Sequence, residues 1–145
     1  MEIQKERVDG VVIVRPAGGL DNDQAAEFQA FVHGLLREGD HWMVLDFTRT
    51  EQIGGKALQV LRQMRAKLIE PFGGLVLCAM NDRVKESFRI PGYLGVFAVT
   101  PSLPEAISRL ARAQSQKRFL ELVASLLKGD EPAAADGGEP APFEA

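Results

Sequence analysis

The first residues set two β-prone runs, EIQKER (2–7) and VVIVR (11–15), on either side of Asp9-Gly10, a dipeptide that favours a tight hairpin. The second run is nearly all β-branched, as a strand buried on both faces requires. Pro16, Gly18 and Gly19 read as its end. Asp21 or Asp23 then caps a helix with an acidic first turn. Ala25, Phe28, Phe31 or Val32, and Leu35 recur at helical spacing, and Gly39 reads as the C-terminal cap. WMVLDF (42–47) is a short apolar strand, followed by TRTEQIGG (48–55), read as a loop. A second helix is predicted from about Lys56 to Ile69. Ala57, Leu61, Met64 and Leu68 line its inner face, and Arg62, Gln63, Arg65 and Lys67 occupy the remainder.

The same alternation continues. LVLCAM (75–80) predicts a fourth strand, and Asn81 or Asp82 caps a short helix through about Phe88. Pro91-Gly92 makes a turn, and GVFAV (95–99) predicts a fifth strand. Ser102 opens a last helix carrying Ala106, Ile107 and Leu110. The order ββαβαβαβα needs crossover connections, so the fold class is α/β, with a mostly parallel or mixed sheet of about five strands flanked by four to five helices. Residues 1 to 112 form the predicted domain. From Ala111 the chain turns polar in ARAQSQKR (111–118) and then amphipathic in FLELVASLLKG (119–129), with Phe119, Leu122, Val123, Leu126 and Leu127 on one side; residues 113 to 128 are read as a C-terminal helical extension. This amphipathic extension either lengthens the last helix or forms a separate one. A core-capping role is the first expectation, and a dimer or partner contact the second. Residues 129 to 145 are acidic and rich in Pro, Ala and Gly; with almost no bulky apolar side chains, they predict a disordered tail.

With 145 residues the chain suits one domain with a full core. A net charge of −3, with acidic residues weighted to the C-terminal end, argues against nucleic acid as the main partner. Cys78 is the only cysteine and sits in an apolar run, so an intrachain disulfide is excluded and a small buried hydrophobe is the expected role. No apolar stretch has the length of a signal peptide or a membrane span, which sets a soluble, cytoplasmic protein as the expectation.

Catalytic groups are scarce. His33 and His41 lack a neighbouring Ser or Cys suited to a triad, and Glu38, Asp40 and His41 read as a solvated loop rather than metal ligands; no metal or cofactor is predicted. Asp46 ends an apolar strand and is placed near the same rim as Asp21. The stretch EQIGGKAL (51–58) resembles a phosphate-binding loop until its residues are counted. Thr50 stands where the first glycine belongs and Ala57 where the hydroxyl belongs, so nucleotide hydrolysis is not supported. Gly54 and Gly55 at a helix start can still offer backbone N–H groups to an anion, or serve only a tight turn.

GGLDNDQAAEF (18–28), VLDF (44–47) with IGGKALQVL (53–61), VKESFRIPGYLGVFAV (84–99) and SLPEAI (102–107) resemble, in order and spacing, the STAS domains of bacterial anti-sigma-factor antagonists. The similarity covers residues 1 to 112. It implies a non-enzymatic interaction module. Typical members bind an anti-sigma factor that is also a serine kinase, and phosphorylation of a serine at the start of the second helix ends the complex. Other members work in stressosome-like assemblies, lipid transport or anion transporters.

Matched residue by residue, Gly55 stands in the place of the phosphoacceptor serine, Gly54 in that of an Asp or Ser, and Ala57 replaces a glycine; Lys56 adds a cation. Gly55 has no hydroxyl, so phosphoryl transfer to it is chemically impossible. Thr48 and Thr50 are the nearest hydroxyls. The resemblance therefore implies partner binding through Asp21, Thr48, Thr50, Gln52, Gly54, Gly55 and Lys56, without the usual switch. Charge and hydropathy set no nucleic acid and no membrane insertion as expectations, and a homodimer stays open. The alternative reading is an accessory protein that binds a small anion or an apolar ligand.

Overall fold

The computed structural model describes residues 1–70 and 72–129. The strands are β1 (Glu2–Val8), β2 (Val11–Leu20), β3 (Trp42–Asp46), β4 (Thr50–Ile53), β5 (Gly74–Cys78) and β6 (Ala98–Thr100). The helices are α1 (Ala25–Arg37), α2 (Gly55–Lys67), α3 (Asp82–Arg89) and α4 (Leu103–Lys128). The sheet runs β1-β2-β3-β5-β6, with β4 paired to β2. Only β1 is antiparallel to its neighbour. The sheet is therefore mixed, as predicted. At the hairpin, Asp9 and Gly10 both have positive φ, 52° and 81°, the geometry that matches the twist of paired strands.

Side chains alternate across the central strands into two cores. Val12, Val14, Met43, Leu45 and Leu77 pack towards Phe28 and Val32 of α1, Leu61 and Met64 of α2, and Phe88 of α3. Val11, Ile13, Val44 and Val76 face Ala106, Leu110 and Ala113 of α4. The run that reads as buried on both faces is indeed covered on both.

Several boundaries differ from the sequence reading, and three of them follow from packing that the segment's own residues do not show. β2 does not end at Pro16. It continues to Leu20, because β3 pairs only with Val12–Val14 and β4 takes over at Gly18–Leu20. Pro16 thus falls in the gap between the two partners, where no ladder donor is needed from it, and the β4 pairing itself carries a bulge between Gly18 and Gly19, with Gly18 at φ 86°. Residues 50–53, read as loop, form β4: Thr50 and Ile53 are buried, and Glu51 is exposed. The strand expected at 95–99 is displaced to 98–100. Tyr93–Gly95 makes a tight 3-10 turn, and Phe97 leaves the strand to stack near-perpendicular on Phe88 at 5.6 Å.

The last helix settles an open alternative, since residues 103–128 form one continuous helix. The core-capping expectation for its distal part fails. Phe119, Leu126 and Leu127 are 62%, 61% and 82% exposed, and the buried contacts of α4 end at Ala113. The predicted tail, from Asp130 onward, lies outside the described residues.

Candidate functional site

The C-terminal ends of the parallel strands β2, β3 and β5 open onto one edge of the sheet, and the residues singled out around position 55 gather there. β2 delivers Leu20 and Asp21; β4, lying beside its extension, delivers Gln52 and Ile53. The Gly54 N–H donates to the Leu20 carbonyl at 2.9 Å, so the start of α2 is held against the end of β2.

Side chains then tie the loops together. The Gln52 amide donates to Asp21 Oδ1 at 2.8 Å, and Arg83 on α3 donates to Gln52 Oε1 at 2.7 Å. Asp21, Gln52 and Arg83 are thereby linked in one chain across three elements. Asp21 is also fixed locally, its N–H donating to Gln24 Oε1 at 3.1 Å. Asn81 caps α3 by accepting from the Val84 N–H at 2.8 Å, and its amide donates to the Thr50 carbonyl at 3.1 Å.

The helix start itself is capped from a distance. Asn22 Oδ1 accepts the Lys56 N–H at 3.0 Å. A Cβ at Gly54 would lie 2.8 Å from that same oxygen, whereas a Cβ at Gly55 would meet nothing within 4 Å. Adjacent glycines thus do different work. Gly54 makes room for the Asn22 cap, and Gly55 is an open, exposed position in the first turn of α2. Of the two N–H groups expected to cradle a small anion, those of Gly54 and Gly55, the Gly54 N–H is used within the chain, as is the neighbouring Lys56 N–H. Clefts of about 490 and 480 Å³ lie elsewhere, one walled by Arg65, Ile69 and Val96, the other by Val99, Glu105 and Arg112.

Two of the named residues sit differently from expectation. Thr50 is buried, 2% exposed, and its hydroxyl donates to the Pro16 carbonyl at 2.7 Å, so it does not present a hydroxyl to a partner. Asp46 is buried rather than on the rim with Asp21. Arg15 Nε donates to its carboxylate at 3.2 Å, and the Thr48 N–H at 3.0 Å. These bonds replace the water a buried carboxylate loses. Thr48 is exposed, but its hydroxyl donates to Asp46 as well. Hydrogen bonds to Glu6 and Asp46 outweigh burial at Arg15 and raise its pKa above the ordinary value. Beside Asp46, as its partner in the β3–β5 register, lies Cys78. Burial, reinforced by the Asp46 charge, pushes its thiol up to about 12, which fits the buried role read from the sequence.

Asn22 and Arg83 are absent from the sequence reading. No local signal marks them, because Asn22 meets its partner 34 residues along the chain and Arg83 meets Gln52 31 residues back. The basic face predicted for α2 is partly occupied: Arg62 lies over the Tyr93 ring at 5.4 Å, and Arg65 Nε donates to the Val96 carbonyl at 2.8 Å. Among the described residues no cluster of His, Cys, Asp or Glu could hold a metal ion, and no helix is long and apolar enough to cross a membrane.

Comparison with known proteins gives this arrangement a context. BtrV of Bordetella bronchiseptica, which carries the name of an anti-sigma factor antagonist, is 28% identical over 113 residues, spanning 78% of this chain and 97% of BtrV. A solved anti-sigma factor antagonist from Mycobacterium paratuberculosis superposes with a TM-score of 0.70 at 21% identity, covering 76% of this chain and 93% of that one. Bacillus SpoIIAA, solved in unphosphorylated and phosphorylated forms, gives TM-scores of 0.59 and 0.58 at 18% and 19% identity, over 76% and 75% of this chain and 98% and 99% of theirs. The model of the STAS domain matches residues 2–106, most of the described structure, and the chain belongs to that family.

Proposed function

We propose that this chain is a regulator of the anti-sigma-factor-antagonist type. It acts by binding a protein partner resembling an anti-sigma-factor kinase or a stressosome-like assembly, without phosphorylation control at position 55. The binding surface comprises Asp21, Thr48, Gln52, Gly54, Gly55 and Lys56, extended to Asn22 and Arg83. The observation that carries this reading is Gly55: it is exposed in the first turn of α2, has open space where a Cβ would stand, and bears no hydroxyl. SpoIIAA is a neighbour that has been solved with and without phosphate. Here the matching position retains room for contact but offers nothing to phosphorylate, and Lys56 places a cation beside it. Binding is therefore constitutive, or controlled on the partner's side. The small-anion alternative loses one of its two amides, since the Gly54 N–H is bonded to the Leu20 carbonyl.

The test uses intact-mass measurement after incubation with candidate anti-sigma-factor kinases and ATP. The wild-type chain stays unmodified, whereas Gly55→Ser acquires one phosphate from a kinase that recognises the surface. Stoichiometric phosphate on residues 48–56 of the wild type would overturn the loss of regulation. For a kinase that binds, Gly55→Glu lowers affinity by about tenfold or more through added charge and bulk, with thermal unfolding unchanged. Unaltered affinity would place the interface elsewhere.

A further inference from the structure

The sheet holds α4 through Ala106, Leu110 and Ala113, and the helix then runs on to Lys128. At 3.6 residues per turn, its distal apolar side chains lie on another side of the helix. Phe119, Leu120, Leu122, Val123, Leu126 and Leu127 centre about 130° away from the sheet-facing stripe. This segment does not prolong the core contact. It turns an apolar face away from its own domain. The exposures are 62% for Phe119, 44% for Leu120, 43% for Leu122, 61% for Leu126 and 82% for Leu127. A helical stretch this short is marginal in water without a covering surface.

We propose that this face is an interface between two copies of the chain. The charges support that occupant. Lys117, Glu121 and Lys128 fall on the back of the helix, with Lys117 and Glu121 paired at 3.6 Å, so two stripes can meet without like-charge repulsion. Arg118 borders the apolar face and Arg112 lies on the same side two turns before Phe119, two cations against about four to eight in the basic clusters that hold a helix on an anionic membrane. The exposed side chains amount to roughly 600 Å² per copy, so a two-fold pair buries roughly 1,200 Å², the lower edge of specific interfaces. That predicts a dimer with a dissociation constant on the order of micromolar. Because α4 lies on the sheet face opposite α1, α2 and α3, dimerisation leaves the α2 surface free for its partner.

Sedimentation equilibrium of the full chain over about 1 to 200 µM tests this. The wild type converts from monomer to dimer within that range. Leu122→Glu with Leu126→Glu, or Leu127→Lys alone, raises the dissociation constant on the order of thirty-fold or more. These positions are exposed in the monomer, and circular dichroism of the dilute variants should match the wild type. A wild type that stays monomeric throughout overturns the proposal, as does a dimer indifferent to both variants. A monomer that instead co-sediments with phosphatidylglycerol vesicles through the same leucines also overturns it, in favour of a membrane.

Discussion

At position 54 the absence of a side chain is a requirement; at position 55 it is a vacancy. Adding a methyl group separates the two. In Gly54→Ala the new Cβ would sit 2.8 Å from Asn22 Oδ1 and 3.2 Å from the Asn22 backbone nitrogen. Asn22 must retreat and release the Lys56 N–H, so loss of this cap and the strain together cost about 1 to 2 kcal/mol. Gly55→Ala meets nothing and replaces glycine by a better helix former, so it is neutral or stabilises by up to about 0.5 kcal/mol. Urea denaturation of both variants measures the contrast. Equal effects, or a stable Gly54→Ala, would show that Asn22 does not govern the start of α2. The sequence locates this glycine pair and its loss of a hydroxyl, because those depend on residue identity and spacing. It does not tell one glycine from the other, since the difference lies in Asn22, 32 residues earlier.

Elements were legible where their own residues decide them. The two-faced burial of β2 follows from VVIV, the inner face of α1 from Phe28, Val32 and Leu35, and the hairpin from Asp9-Gly10. They were misread where a distant strand decides. PAGG resembles a terminus, yet β4 arrives alongside and keeps the backbone extended to Leu20. TEQI is too short to declare itself without that neighbour, and its burial is what removes Thr50 from the candidate surface. Gly18 is the first residue paired with β4 and stands at the bulge in that pairing. Its φ of 86° is unfavourable for any residue with a Cβ, although nothing lies within 4 Å of where one would stand. Gly18→Ala should therefore destabilise by about 1 to 2 kcal/mol through backbone strain alone. Hydrogen exchange should then show the loss concentrated in Gly19, Leu20 and β4, with β1 and β3 little changed. A uniform loss across the sheet would mean that the bulge is not an independent joint.

The molecule presents its two surfaces from different sheet faces and by different means. The α2 surface is held by side-chain bonds among β2, β4, α2 and α3. The distal half of α4 is held only by its own helix, and this difference has a thermodynamic signature. Removing residues 117–145 deletes no buried contact of the described domain, because α4 meets the sheet through residues up to Ala113. At protein concentrations well below the dimer's dissociation constant, the shortened and full chains should unfold in urea with stabilities within about 1 kcal/mol of each other. At about one hundred times that constant, mass action should stabilise the full chain further, by about 2 kcal/mol or more, while the shortened chain stays where it was. A concentration-independent gap would point to an intramolecular role for the distal helix. No gap at either concentration would leave α4 without the partner that its outward-facing stripe requires.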